Sequence, residues 1–151
     1  MPETQYYILS ISQRLLGNWE VCKEKRLFGI PARLGDALEV QPGDKFVLYL
    51  GGRGFKAHGE ITSEAQEFSR EAASPWLDGR GYPIRCSIEV VREYQRPKGY
   101  SFANGWNPDI QIHVLKHLRP GFSRIEEWQF DKIVADLEAT RGNESPGCKT
   151  A

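Results

Sequence analysis

The sequence predicts an α+β domain built around a curved, barrel-like sheet of five to six strands, with short flanking helices and a C-terminal helix. Three observations carry this expectation. Short runs of strand-forming residues recur along the chain, one of them alternating cleanly from Tyr82 to Val90; a single amphipathic stripe closes the chain; and neither an internal repeat nor regular strand-helix alternation is present. At 151 residues one hydrophobic core is expected, with a single domain over residues 1–140 and a flexible small, polar tail at 141–151.

Tyr6-Tyr7-Ile8-Leu9-Ser10-Ile11 is mostly apolar and reads as a buried first strand. Asn18 is a good N-cap for a short helix in which Trp19, Cys22 and Lys23 fall three and four apart; it reaches about Arg26 and stops near Phe28-Gly29-Ile30-Pro31. Leu34 to Val40 supplies a helical turn or two. Pro42-Gly43-Asp44 then turns the chain into Lys45-Phe46-Val47-Leu48-Tyr49-Leu50, the most apolar segment and so a central strand. Gly51-Gly52-Arg53-Gly54 reverses the backbone, and Phe55 to Thr62 returns as a hairpin partner.

Glu64 to Gly81 has poor periodicity and contains Ser74-Pro75-Trp76 and Asp78-Gly79, so it reads as a long loop with at most one helical turn. Loops of that length in a compact domain are usually functional or disordered. From Tyr82 to Val90 the even-numbered residues should face the core and Pro83, Arg85, Ser87 and Glu89 the other way. Residues 110–114 suggest another strand. Ser123-Arg124-Ile125-Glu126 matches a capping box, and Phe130, Ile133, Val134 and Leu137 form the stripe of the final helix.

The bulk properties exclude several classes. No run approaches the roughly 20 apolar residues that span a bilayer, and the start lacks the layout of a signal peptide, so no membrane role is expected and the cytoplasm, or a nucleus in a eukaryote, is the expected location. Cys22, Cys86 and Cys148 are odd in number and widely spaced, which argues against a disulfide framework or structural zinc. Lysine plus arginine equals aspartate plus glutamate at 20 each, so net charge does not advertise a nucleic-acid partner; Arg14, Lys23, Lys25, Arg26 and Arg33 nevertheless crowd the early chain.

Catalytic motifs are absent: there is no Gly-x-Ser-x-Gly elbow, Walker loop or His-Glu-x-x-His. His113 and His117 would share a face only on a helix, whereas their neighbours look like strand then turn. Gly51-Gly52-Arg53-Gly54 lies between strands and is a hairpin, not a phosphate loop. Asp44, Asp78 and Glu60 are not paired by spacing. Binding without a cofactor or metal is the expectation, and the chain is not expected to be an enzyme.

Four short motifs in register then carry a resemblance. Asn18-Trp19-Glu20-Val21-Cys22-Lys23-Glu24, Phe28-Gly29-Ile30-Pro31, Pro42-Gly43-Asp44-Lys45-Phe46 and Tyr82-Pro83-Ile84-Arg85 resemble the EVE domain of the PUA/YTH-like superfamily in order and spacing, and the match extends through Leu118-Arg119-Pro120-Gly121 over roughly residues 6 to 137. The resemblance implies a PUA/YTH-like barrel that holds a flipped, modified base, in EVE domains typically a modified cytosine such as 5-methyl- or 5-hydroxymethylcytosine in DNA. Extruding a base costs a few kcal/mol, recovered by aromatic packing and edge hydrogen bonds.

By the same resemblance Phe28 and Trp76 stand where YTH domains place two cage aromatics. Phe28 departs from the Trp common in EVE proteins and offers a smaller surface. Gly29 would bring its backbone to the base, Ser12 could bond an edge, and Pro120 and Gly121 lie in the closing segment; Trp19 is counted with the pocket but reads more readily as core. Trp106, between Asn104 and Asn107, reads either as bordering the site or, in preference, as stabilising a turn. Lys23, Arg26, Arg33, Arg119 and Arg124 are the candidate phosphate contacts. Expected partners are nucleic acid, with DNA favoured over RNA, and a nuclease supplied by another chain, the protein itself being monomeric. Two rivals stay open: an RNA reader, and a small-molecule hydrolase or ligand-binding protein using the same barrel mouth. A cluster of Lys, Asp or Glu in the pocket would favour the hydrolase; an aromatic slot with a basic rim favours base reading.

Overall fold

The computed structural model describes residues 3–30, 35–68, 75–76 and 82–141. Strand β1 (Tyr6–Ile11) leads through a 3₁₀ turn (Gln13–Leu15) into helix α1 (Asn18–Lys25), strand β2 (Leu27–Ile30) and the short helix α2 (Gly35–Leu38). A hairpin of β3 (Lys45–Leu50) and β4 (Gly54–Ile61) follows, then the two-residue β5 (Gln66–Glu67) and the long β6 (Ile84–Lys98). A small hairpin of β7 (Trp106–Asn107) and β8 (Ile112–His113), a π-helical turn (Val114–Leu118), β9 (Phe122–Ile125) and α3 (Glu127–Arg141) complete the described chain.

The principal sheet runs β2-β6-β4-β3-β1-β9, with β5 added to β6, and curls into a half-barrel. β1 and β3 are parallel, Tyr6 opposite Lys45 and Ile11 opposite Leu50, and the remaining pairs are antiparallel. The expected α+β curved sheet with a closing helix is therefore what the chain forms. Alternation divides its core. Tyr7, Leu9 and Ile11 join Phe46, Leu48 and Leu50 in a cluster lining the inside of the curl, while Ile8 and Val47 turn the other way under Phe130, Ile133 and Leu137 of α3. With both faces covered, β1 and β3 read as nearly unbroken apolar runs. No helix among the described residues is long and apolar enough to cross a membrane.

Several local expectations are corrected. Asn18 is not the N-cap: Gly17 holds that place without a side-chain bond, and Asn18 is the buried first residue of α1. The chain after α1 is not merely a stop, because Arg26 adopts a left-handed conformation (φ 54°) and turns Leu27–Ile30 into a strand paired with β6. Arg85, expected to face outward, is 4% exposed; its guanidinium lies 4.1 Å over the Phe68 ring and its Nε donates to the Tyr82 carbonyl.

β6 continues eight residues past Val90, through Pro97. Phe55 pairs with Lys98 and Ala57 with Glu93, so one β4 residue stands opposite four residues of β6, and the proline sits where the ladder asks no N–H of it. The strand expected at 110–114 shrinks to Ile112–His113, and the π turn that follows brings the two histidines together after all: His117 Nδ1 accepts from the His113 backbone N–H at 2.9 Å. The capping box lies three residues later than expected, with Gln129 Oε1 accepting from the Glu126 backbone N–H, because residues 122–125 are committed to β9.

Candidate functional site

A cavity of about 590 Å³ straddles the C-terminal ends of the parallel strands β1 and β3. It has two lobes. Inside the half-barrel, Ile11, Asn18, Cys22, Phe28, Gly29, Trp76 and Tyr82 form an aromatic lobe; on the other side, Ser10 and Tyr49, which are register partners, face Val114, Leu115 and Leu118 of the π turn. Ser12, Gly51, Gly52, Arg119, Pro120 and Gly121 complete the rim. A cavity of this volume lies in the usual range for small-ligand sites.

The aromatic lobe is built around Trp76, which is 5% exposed. Its indole Nε1–H donates to Cys22 Sγ at 3.2 Å, and its ring meets Tyr82 edge-on at 4.8 Å between centroids. The Arg85 guanidinium lies 5.4 Å from the same ring. Gly29 passes so close that a Cβ there would stand 2.6 Å from Trp76 Cη2 and 2.9 Å from Tyr82 Cβ, so a residue without a side chain is required. Asn18 Nδ2 reaches the Tyr82 hydroxyl at 3.4 Å. Burial pushes the Cys22 thiol up to about 11 and Cys86 up to about 12, so both are neutral, weakly reactive thiols near pH 7.

The polar groups of the second lobe are sparse. Ser12 Oγ accepts from the Arg14 backbone N–H at 3.4 Å and so caps the 3₁₀ turn while facing the rim. Two residues earlier, Ser10 Oγ is shielded from solvent and has no hydrogen-bond partner among the described residues. Its own backbone N–H donates to the Gly121 carbonyl, which anchors the closing segment to β1 at 2.9 Å.

Of the pocket residues expected from sequence, Phe28, Gly29, Trp76, Ser12, Pro120 and Gly121 all line the cavity. Trp19 does not. It follows Asn18 by one residue, about 100° round the helix, so when Asn18 and Cys22 face the cavity Trp19 faces β6. There it is 3% exposed and donates to Glu93 Oε2 at 2.8 Å. Burial alone would raise the Glu93 carboxyl, but hydrogen bonds from Trp19 and Lys23, with the lysine charge, hold it below the usual carboxylate value.

The proposed basic rim is not one patch. Arg119 is exposed and lines the cavity, whereas Lys23 is engaged by Glu20 at 2.8 Å and Glu93 at 3.0 Å and, with Arg26, borders a separate small recess against β6. Arg124 projects from β9 into other recesses, and Arg33 lies outside the described residues. Sequence reasoning passed over Asn18, Cys22, Tyr82, Ser10 and Tyr49 as lining residues. The four-residue spacing of Asn18 and Cys22, one face of a helix, was the available signal for two of them.

The arrangement defines a class: a half-barrel domain with an aromatic slot at its mouth, the PUA/YTH-like fold. No family model matches the chain. It is 32% identical over 96 residues to a UPF0310 protein of Pyrococcus abyssi; the match takes in 57% of this chain and 66% of that relative, just under two thirds of its length. Among solved structures, the human THYN1 protein in complex with 5-methylcytosine-containing DNA superposes with a TM-score of 0.57 at 11% identity, covering 95% of this chain and 100% of that one. The YTH domain of the Zygosaccharomyces rouxii MRB1 protein in complex with N6-methyladenosine RNA also gives 0.57, at 14% identity, covering 91% and 86%. These similarities bear out the PUA/YTH-like fold that the resemblance implies.

Proposed function

We propose that this chain is a reader of a modified nucleic-acid base, flipped out of its stack into the aromatic lobe, and that the base is a cytosine modified at C5 in DNA. The observation that carries this reading is the slot itself: Phe28, Trp76 and Tyr82 supply ring surface, and Gly29 lets backbone approach. Apolar and aromatic walls favour a planar ligand bearing an added methyl group, since each buried CH₂-sized group contributes about 0.8 kcal/mol. Asn18 and Ser12 line the cavity with polar atoms where a base edge or sugar would pass, and Arg119 stands at the rim for a phosphate.

The small-molecule hydrolase reading calls for acid-base groups in the pocket. Among the described residues lining the cavity, the titratable ones are Cys22, Tyr49, Tyr82 and Arg119, a set better suited to holding a ligand than to moving its protons. The similarity to THYN1, whose structure holds 5-methylcytosine DNA, favours DNA; the similarity to a YTH domain bound to N6-methyladenosine RNA supports RNA as the second reading. A nuclease partner that cuts the strand is part of the same proposal.

Titration of short DNA and RNA oligomers carrying plain, 5-methylated or 5-hydroxymethylated cytosine, or N6-methyladenine, at one moderate salt concentration tests the proposal. Preference for a 5-modified cytosine in DNA is the expected result. Preference for a modified RNA base would replace it with the second reading, and equal or absent binding of all oligomers would overturn both.

A further inference from the structure

Across the π turn from the cavity lies a second recess, of about 720 Å³, whose wall shares Leu115 with the first. Trp106 stands on it. The chain reaches Trp106 through Asn104 (φ 53°) and Gly105 (φ 80°), two successive left-handed residues that make a tight reversal, and the turn is tied down by the Val114 N–H donating to the Gly105 carbonyl at 2.8 Å. Opposite, His113 is the register partner of Trp106. The backbone is well held, yet the indole is 41% exposed and its neighbour Leu115 is 56% exposed. Folding has left a large aromatic face uncovered on a rigid support.

The charges beside that face are mostly positive. Lys116 and Arg124 border the recess, against the single carboxylate of Glu126 at the start of α3. An exposed ring with cations at its margin is the arrangement that binds single-stranded nucleic acid, the base stacking and the phosphate meeting the charge. Leu115 belongs to both walls, so the second recess adjoins the first cavity.

We infer that the Trp106 recess is a flanking-nucleotide subsite: the base of a nucleotide next to the flipped one stacks on Trp106, and its phosphate is met by Lys116 and Arg124. The inference rests on the base-reading proposal for the first cavity. It assigns the two sites different tasks, the first discriminating the modification and the second adding affinity without regard to sequence.

The test uses single-stranded DNA oligomers with one 5-methylcytosine and the fluorescent base 2-aminopurine at successive flanking positions, bound to the wild type, Trp106→Ala, Trp106→Phe and Lys116→Gln. In the wild type, fluorescence should be quenched at one flanking position. Trp106→Ala should remove that quenching and weaken binding about tenfold, leaving the ratio of modified to plain oligomer unchanged, and Trp106→Phe should restore part of both effects. Lys116→Gln should lower the slope of affinity against salt by about one. Unaltered quenching and affinity in Trp106→Ala, with modified-base preference intact, would overturn the subsite and leave the first cavity's reading standing. Trp106-dependent quenching without any modified-base preference would do the reverse, and absence of both would overturn the two together.

Discussion

Cys22 Sγ accepts a hydrogen bond from the Trp76 indole at 3.2 Å, joining the first helix to a residue 54 positions further along the chain. The bond fixes the tilt of the ring that walls the aromatic lobe. Trp76→Ala should therefore abolish discrimination between modified and plain base. Cys22→Ala keeps the ring but leaves its buried N–H without that acceptor, at a cost of about 1–3 kcal/mol; urea denaturation should show that loss, and Cys22→Ser, which retains an acceptor, a smaller one. Equal base preference in Trp76→Ala and wild type would show that the slot is misplaced.

Gly29 makes a second demand on the same ring. In Gly29→Ala the new Cβ would stand 2.6 Å from Trp76 Cη2 and 2.8 Å from Cζ3, so the indole must move into the lobe or away from Cys22. Overpacking of this kind costs about 1–3 kcal/mol. Thermal melting should register it, and binding of the modified oligomer should fall more steeply than binding of the plain one.

Arg119 is exposed at the rim and should act on the backbone of the ligand alone. Arg119→Ala is expected to weaken modified and plain oligomers by the same factor and to reduce the salt slope by about one. A change in their ratio would place Arg119 against the base instead. Lys23→Ala, whose ammonium is engaged by Glu20 and Glu93, should leave the salt slope nearly unchanged.

Stability should fall in two stages as the solution is acidified. Burial holds His58 and His117 below the ordinary histidine value of 6.5, so the folded protein keeps them neutral while the unfolded chain takes up protons. Their contribution is complete above pH 6.5 and is lost as pH falls from there through the depressed folded values. Glu93 and Asp136, held below their ordinary values of 4.5 and 3.8 by hydrogen bonds and lysine charge despite the opposing effect of burial, add a second loss below those values. Melting temperature against pH should show both stages. His58→Phe, placed among the rings of Tyr94 and Phe130, should flatten the first without removing the second.

Strands β1 and β3 were legible in the sequence as unbroken apolar runs, β4 as the return of a glycine-rich turn, and helix α3 by its apolar stripe. β2 was not: Leu27-Phe28-Gly29-Ile30 has no alternation, and its strand conformation is imposed by pairing with β6. The same distinction applies to the cavity. Phe28, Gly29, Trp76, Ser12, Pro120 and Gly121 were named from motif position and do line it, while Trp19, which in the sequence reads more readily as core, packs toward β6; composition does not say which side of α1 faces inward. Ser10 and Tyr49 escaped notice because they sit on the β1–β3 face turned from the aromatic lobe, and only the fold reveals that the cavity wraps around the strand ends. The expected basic residues are dispersed for a related reason: Arg119 lines the cavity, whereas Lys23 and Arg26, near in sequence, border a recess against β6.

β1 is held between two distant partners, β3 on one edge and β9 on the other, with Tyr6 opposite Ile125 and Leu9 opposite Phe122. The Gly121 carbonyl that receives the Ser10 N–H belongs to that late arrival. On a ribosome, the first strand must therefore wait for residues 122–125 to gain its second neighbour, and the closing side of the cavity cannot exist until residues 114–125 have emerged. A chain released early would expose an unpaired β1 edge, an invitation to intermolecular pairing. The cavity is thereby finished only once residues 114–125 have joined the sheet, and the long-range closure that makes it so also slows folding.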